Sequence, residues 1–139
     1  MNRALILAEW RRARESLHAA ELLTREGCFA DAVSRTYYAV LHAAKAALQI
    51  HDVTVASHSA VKRMFGLHLI RTGKIEREWA THLGESLGDR LAADYDPEVT
   101  FTQVEARHEC RQTRQFLGRI RRHLLDQGFT NAELRRIAT

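Results

Sequence analysis

The sequence predicts an all-α protein, an up-and-down bundle of four to five helices. Apolar residues recur at the three- and four-residue spacing of amphipathic helices, and strand-like alternation is absent. The 139-residue chain has a single proline, Pro97, and its glycines fall mainly between the apolar-periodic segments. A chain of this length can bury a working core without a metal or a disulfide. We therefore predict one domain over residues 1–128, followed by a short C-terminal tail over 129–139.

Capping residues predict where the first helix begins and ends, and a second helix follows it. Asn2 has a short polar side chain that can accept a hydrogen bond from the free amides of a first turn, so we predict that the first helix begins there. It is expected to end at Gly27, because glycine readily adopts the left-handed conformation that closes many helices. The second helix is expected to run from about Phe29 to about Ile50.

The middle of the chain predicts a loop and two further helices. Residues 51–57 are predicted to form a loop. Its last residue, Ser57, is expected to cap a third helix, which ends at Gly73. A fourth helix is expected over about 75–93. It ends before Pro97, which lacks the amide that a helix interior requires.

The last predicted helix is long. Thr100 or Thr102 is expected to cap it, and it ends before Gly128. The segment 130–133 has the Thr-x-x-Glu pattern of a capping box, which predicts a short terminal helical segment.

Charge and targeting signals limit the classes of function. The net charge is +4 and the pI is near 9.5, with arginine dominating the basic residues. Arginine suits phosphate recognition, but genome base composition can produce the same bias, so the charge favours nucleic acid only weakly. No apolar run is long enough for a membrane span, and charges appear too early for a signal peptide. We expect a cytoplasmic protein without membrane contact.

Neither a metal nor a cofactor is expected. Cys28 and Cys110 lack metal-binding spacing and are expected to be reduced, partly buried thiols, with a disulfide between them as the alternative. Most histidines are too scattered for a zinc pair, and surface or capping roles are expected for the following: His51, His58, His68, His82, His108 and His123. His58 either borders a functional cleft or caps a helix.

The second predicted helix carries a row of polar side chains. Arg35 and His42 are seven residues apart, so they lie ~20° apart on one helix face and ~10 Å apart along its axis. Asp31, Tyr38 and Lys45 share that face. The opposite face is apolar and is predicted to pack on the core; it comprises Val33, Tyr37, Val40, Ala44 and Leu48.

This row has the residue types that RNA cleavage without a metal requires. The imidazole of His42 can exchange protons near neutral pH, and the guanidinium of Arg35 can grip phosphate oxygens. One histidine would have to serve as both base and acid, so a site shared by two protomers is expected. Asp31 is expected to pair with Arg35 and orient it. Tyr38 either hydrogen-bonds the substrate or covers an interface.

Further basic residues are candidate phosphate contacts. Lys45 lies one turn beyond His42, and Arg90 can reach the site if the fourth helix packs beside the second. Arg90 also has Asp94 as an i,i+4 partner, which favours a structural pair. The arginines of the last helix form either a solvated face, an RNA-binding track or a surface for an acidic partner; they are Arg107, Arg111, Arg114, Arg121 and Arg122. For the polar row of the second helix, the alternative is a solvated or interface surface whose side chains take no part in a reaction.

The segment 31–48 resembles the signature helix of HEPN-domain proteins, which is marked by an arginine followed after four to six residues by a histidine. Here six residues separate Arg35 from His42. Two further segments, 57–75 and 90–96, fit the same small HEPN family in the same order. The resemblance covers roughly residues 5–125.

The resemblance implies a helical bundle that forms a homodimer, with the arginine and histidine of both protomers facing each other. It implies a metal-independent endoribonuclease that cleaves RNA as the toxin of a toxin–antitoxin or defence system, with Arg35 and His42 as the catalytic pair. It also implies a nucleotidyltransferase-type antitoxin. Some HEPN toxins are neutralised by adenylylation of a tyrosine two residues after the histidine, but Ala44 stands there, which leaves neutralisation by a binding antitoxin. The alternative is a non-catalytic nucleotide-binding or regulatory partner of a nucleotidyltransferase.

Overall fold

The computed structural model describes the backbone of residues 1–135 and the side chains of these residues except 87, 89, 91 and 92. Within that range the chain forms helices and turns and no strand, so the all-α prediction is confirmed. A π-helical turn, Gly66–Ile70, extends the third helix. The α-helices are α1 Arg3–Arg25, α2 Phe29–Ile50, α3 His58–Phe65, α4 Glu78–Tyr95, α5 Gln103–Asp126 and α6 Asn131–Arg135. None of these helices is long and apolar enough to cross a membrane.

The capping residues begin and end helices largely as the sequence predicts. The side chain of Asn2 accepts a hydrogen bond from the amide of Leu5 at 3.1 Å, and Gly27 has a φ of +82° just after α1. Of the two alternatives for α5, Thr102 is the cap and forms a reciprocal capping box with Glu105. These local rules hold because each satisfies backbone groups that the helix itself leaves free.

The third and fourth helices differ from the prediction. The third changes to π-helical geometry at Gly66 instead of running regularly to Gly73. The amides of Lys74 and Ile75 then donate to the carbonyl of Leu69, both at 3.0 Å, and close the preceding turn. Residues 74 and 75 therefore finish one helix rather than begin the next, and α4 starts only at Glu78.

Helix α2 lies at the centre of the bundle and packs against α1, α4 and α5. Its predicted core face is confirmed, because all five apolar residues are buried: Val33, Tyr37, Val40, Ala44 and Leu48. Small residues on its flanks are also fully buried and let neighbouring helices approach closely; they include Ala39, Ala43, Ala46 and Ala47. The polar row is thus one of the few parts of α2 that reach the surface.

The segment after α5 packs against α1. Phe129 and Leu134 are buried, and the indole nitrogen of Trp10 donates to the carbonyl of Leu134 at 2.9 Å. Arg3 forms an ion pair with Glu133 at 2.6 Å. Residues 136–139 of the predicted tail lie outside the described residues, and the boundary at 128 stays a prediction.

One histidine does not have the surface position expected from the sequence. His123 is only 4% exposed, and its Nε2 lies 3.1 Å from Nε2 of His51. Burial lowers the pKa of His123 to about 4, and the nearby positive charges of His51 and Arg119 act in the same direction. The expectation failed because His123 lies on the side of α5 that faces the core, where periodicity alone does not distinguish an imidazole from an apolar ring.

Candidate active site

The polar row of α2 lies on the surface of the bundle as predicted. Arg35 is exposed, whereas Tyr38, His42 and Lys45 are half-buried. Half-burial is useful for chemistry, because it restricts the side-chain rotamers and lowers the local dielectric constant while still admitting a ligand.

A carboxylate from α1 orients the histidine of this row. Nδ1 of His42 lies 2.6 Å from Oε2 of Glu9, and Nζ of Lys45 lies 3.7 Å from Oε1 of the same carboxylate. Because an ionised carboxylate only accepts hydrogen bonds, Nδ1 is the nitrogen of His42 that carries the donated proton. Its Nε2 is left to exchange a proton with a substrate.

The electrostatics of Glu9 agree with this geometry. Burial raises the pKa of the Glu9 carboxyl, but the hydrogen bonds and positive charges of His42 and Lys45 outweigh that effect and leave the pKa below its ordinary value. Glu9 is therefore ionised near neutral pH. It can stabilise the imidazolium that forms when His42 takes up a second proton.

Tyr38 connects the two arginines of the site. The guanidinium carbon of Arg35 lies 4.5 Å from the centre of the Tyr38 ring, and Nη2 of Arg90 donates to the Tyr38 hydroxyl at 3.2 Å. Arg90 also pairs with Asp94, with an N···O distance of 2.9 Å. The structure thus places Arg90 of α4 beside α2, the condition under which it becomes a candidate phosphate contact.

The ion pair predicted between Asp31 and Arg35 is not formed. Among the described residues, the guanidinium of Arg35 contacts the ring of Tyr38, and no ion pair joins it to Asp31. Both side chains are exposed, where such an i,i+4 pair adds less than ~0.5 kcal/mol. Asp31 instead occupies the first turn of α2, where a carboxylate interacts favourably with the free backbone amides.

His58 approaches the row from α3. Its ring centre lies 5.8 Å from that of Tyr37 and 6.3 Å from that of Tyr38. His58 is exposed, but partial desolvation lowers its pKa, and the positive charges of Arg90, Lys45 and His42 act in the same direction. Four helices therefore contribute to one cluster of basic, imidazole and phenol groups, in which Glu9 contacts His42 and Lys45 and Asp94 pairs with Arg90.

Residues 7–123 match the family model of the HEPN domain. This chain belongs to the HEPN family. The match runs from α1 through most of α5 and includes every residue of the cluster just described.

Several curated proteins are similar to this HEPN chain. "Putative toxin MJ0605" of Methanocaldococcus jannaschii is 35% identical over 112 residues, which cover 81% of this chain and 83% of that protein. A protein of Thermotoga maritima named UPF0332 protein is 30% identical over 122 residues, or 87% of this chain and 92% of that protein. The UPF0332 protein PH1297 of Pyrococcus horikoshii is 45% identical over 76 residues, and this match spans about half (54%) of its length.

Glu9 is the site residue that the sequence analysis of this HEPN chain missed. It falls on the apolar stripe of α1, near the buried residues Ile6, Trp10 and Ala13 at helical spacing. A carboxylate on such a stripe is the available signal, because a half-buried charge needs a partner. Its partner could not be named from the sequence, since His42 lies 33 residues away on another helix.

Proposed function

We propose that this HEPN protein is a metal-independent endoribonuclease that acts as the toxin of a toxin–antitoxin or defence pair in the cytoplasm. The observation that supports this proposal most directly is the hydrogen bond of 2.6 Å between Glu9 and Nδ1 of His42, beside the arginines held by Tyr38. An oriented imidazole next to fixed guanidinium groups suits proton transfer at a phosphodiester.

The proposed reaction is attack of a ribose 2′-oxygen on the adjacent phosphorus. His42 exchanges a proton at the reacting oxygens through Nε2, and Glu9 holds its ring and stabilises its charged form. Arg35 and Arg90 neutralise the phosphate oxygens, on which negative charge accumulates as the phosphorus becomes five-coordinate. Lys45 adds positive charge next to His42, and Tyr38 positions both arginines.

We further propose that two protomers complete the site. Arg35 and His42 lie ~10 Å apart along one helix, so long side chains or a second protomer must bring them to one phosphate. Arg35 is exposed, and Tyr38 leaves its guanidinium at the surface, where a facing copy of α2 has access to it. The proposed partners are therefore an RNA substrate, a second copy of this chain and an antitoxin of the nucleotidyltransferase type.

Two relatives from Methanocaldococcus jannaschii that are named as putative toxins support the toxin assignment. The competing function is a non-catalytic helical partner that binds a nucleotide or regulates a nucleotidyltransferase. Such a protein would use the same basic cluster to bind phosphate without cleaving it.

Incubation of the purified protein with RNA in EDTA tests this proposal. The wild type is expected to cleave, and both Arg35→Ala and His42→Ala are expected to lose cleavage. Arg12→Ala and His108→Ala are matched controls, because both residues are exposed and lie outside the cluster. Intact RNA at high protein concentration, together with retained nucleotide binding, would instead favour the non-catalytic partner.

Expression in cells provides a second test of the toxin role. The wild-type protein is expected to arrest growth, whereas the His42→Ala protein at equal abundance is not. Equal growth of both strains would contradict a toxic nuclease.

A further inference from the structure

His58 lies next to the candidate site, and the contacts of its ring with the described residues are aromatic ones. Ser57 caps α3, because its hydroxyl accepts a hydrogen bond from the amide of Ala60 at 3.3 Å. This assignment removes capping as an explanation for His58. Its ring makes aromatic contacts with Tyr37 and Tyr38, and neither nitrogen has a hydrogen-bond partner among the side chains and backbone that the structure describes.

The surroundings of the two site histidines differ in a way that suits two different roles. His58 faces the positive charges of Arg90, Lys45 and His42, and the aromatic rings of Tyr37 and Tyr38, with no carboxylate partner among the described residues. These surroundings favour a neutral imidazole. His42 differs in that the carboxylate of Glu9 lies 2.6 Å from its Nδ1, so a negative charge stands directly beside this ring. Such an asymmetry between neighbouring titratable groups separates a base from an acid.

We propose that His58 is the base and His42 the acid of one RNA-cleaving site, so that a single chain supplies both proton carriers. This inference rests on the proposed ribonuclease function. It replaces the requirement for a second His42 from the facing protomer, which leaves the dimer to supply phosphate contacts such as Arg35.

The proton balance of the proposed step is complete without another reactant. Neutral His58 takes the proton of the 2′-hydroxyl, the 2′-oxygen bonds to phosphorus, and the bond from phosphorus to the 5′-oxygen breaks. Doubly protonated His42 gives its Nε2 proton to the departing 5′-oxygen. The products are a 2′,3′-cyclic phosphate and a 5′-hydroxyl, and exchange with water returns both histidines to their starting forms.

An RNA with sulfur in place of the scissile 5′-oxygen separates the two roles. A thiolate is a much better leaving group than an alkoxide and departs without a proton, so this substrate requires the base but not the acid. We expect His42→Ala to cleave the sulfur substrate within about tenfold of wild type while losing about 10²- to 10⁴-fold on ordinary RNA. His58→Ala and His58→Gln are expected to lose that factor on both substrates.

The pH profile of the wild type provides an independent measurement. The acidic limb of kcat/KM reports the group that must be unprotonated in the free enzyme. This limb is expected to disappear in His58→Gln, whereas His108→Ala, altered at an exposed histidine outside the site, keeps it. A merely structural role for His58 would lower the rate without removing the limb, and circular dichroism and thermal unfolding identify a folding defect.

Three outcomes would overturn this inference alone. His58 variants that cleave both substrates like the wild type would return the second proton carrier to the partner's copy of His42, and restored cleavage of the sulfur substrate by His58→Ala would reverse the two roles. A persistent acidic limb in His58→Gln would show that another group is the base. These results leave the proposed ribonuclease intact, whereas a wild type that cleaves neither substrate overturns both proposals.

Discussion

Glu9 and His42 form the closest polar contact between α1 and α2 at the candidate site, with 2.6 Å between carboxylate oxygen and Nδ1. The same carboxylate lies 3.7 Å from Lys45, so one acidic group from α1 holds two basic groups of the α2 row. The arrangement resembles the support that an acidic residue gives to a catalytic histidine, in which it fixes the tautomer and stabilises the charged ring.

Glu9→Gln is expected to lower kcat of RNA cleavage by about 10²-fold or more with little change in KM, because the amide keeps the size of the carboxylate but not its charge. Steady-state kinetics on a defined RNA measure the split between kcat and KM. Glu26→Gln, a change at an exposed carboxylate beyond α1, is the control. An unchanged kcat in Glu9→Gln would show that His42 works without this support.

Two substitutions of Tyr38 distinguish its contact with Arg90 from its contact with Arg35. Tyr38→Phe removes the hydroxyl that accepts from Arg90 at 3.2 Å but keeps the ring beneath Arg35. Its expected effect is a rise of roughly two- to tenfold in KM, since one such hydrogen bond contributes about 0.5–1.5 kcal/mol. Tyr38→Ala removes both contacts and is expected to raise KM further. Equal KM values for both variants would show that the ring contact with Arg35 contributes nothing to substrate binding.

The sequence predicted the helices well where local physics decides them. The caps at Asn2 and Thr102 depend on side chains that satisfy backbone groups a few residues away, and those interactions are encoded in short segments. The core face of α2 also followed from spacing alone. The π-helical turn at Gly66–Ile70 was not predicted, because it depends on how Leu69 and Ile75 are buried in the assembled core.

The contacts of the candidate site required the tertiary fold. Spacing on α2 placed Arg35 and His42 on one face, but Glu9, His58 and Arg90 come from three other helices. The sequence named Arg90 only under the condition that α4 packs beside α2. The sequence predicted that Asp31 contacts Arg35. In the structure the guanidinium of Arg35 contacts the ring of Tyr38, three residues further along the helix.

Asp31 forms no ion pair with Arg35, so we expect its side chain to contribute little to RNA cleavage. Asp31→Asn is expected to change kcat/KM for RNA less than about threefold, because a screened charge at an exposed helix end contributes about 0.3–1 kcal/mol. The change is expected to appear mainly as a small loss of thermal stability. A drop in kcat/KM of tenfold or more would assign Asp31 a direct role with the substrate.

The buried histidine pair makes the stability of the fold depend on pH. Nε2 of His51 and Nε2 of His123 lie 3.1 Å apart, a contact that one neutral ring can donate and the other accept. Protonation of both rings would place two donors against each other. Accordingly, burial and mutual repulsion lower the pKa of His123 to about 4, and the pKa of His51 is lowered as well.

The sign of the pH effect follows from the proton balance. In the unfolded chain a histidine titrates near ~6.5, so between pH ~6.5 and about 4 the unfolded state binds more protons than the folded state. The contribution of His123 to the free energy of unfolding is therefore complete above pH ~6.5. The free energy of unfolding is expected to fall by up to ~3 kcal/mol as the pH drops to about 4. Urea unfolding measured from pH 7.5 to 4 checks this slope. The His123→Gln protein is expected to lose most of the slope while the exposed-site variant His108→Gln keeps it, and equal slopes in all three proteins would contradict a buried neutral pair.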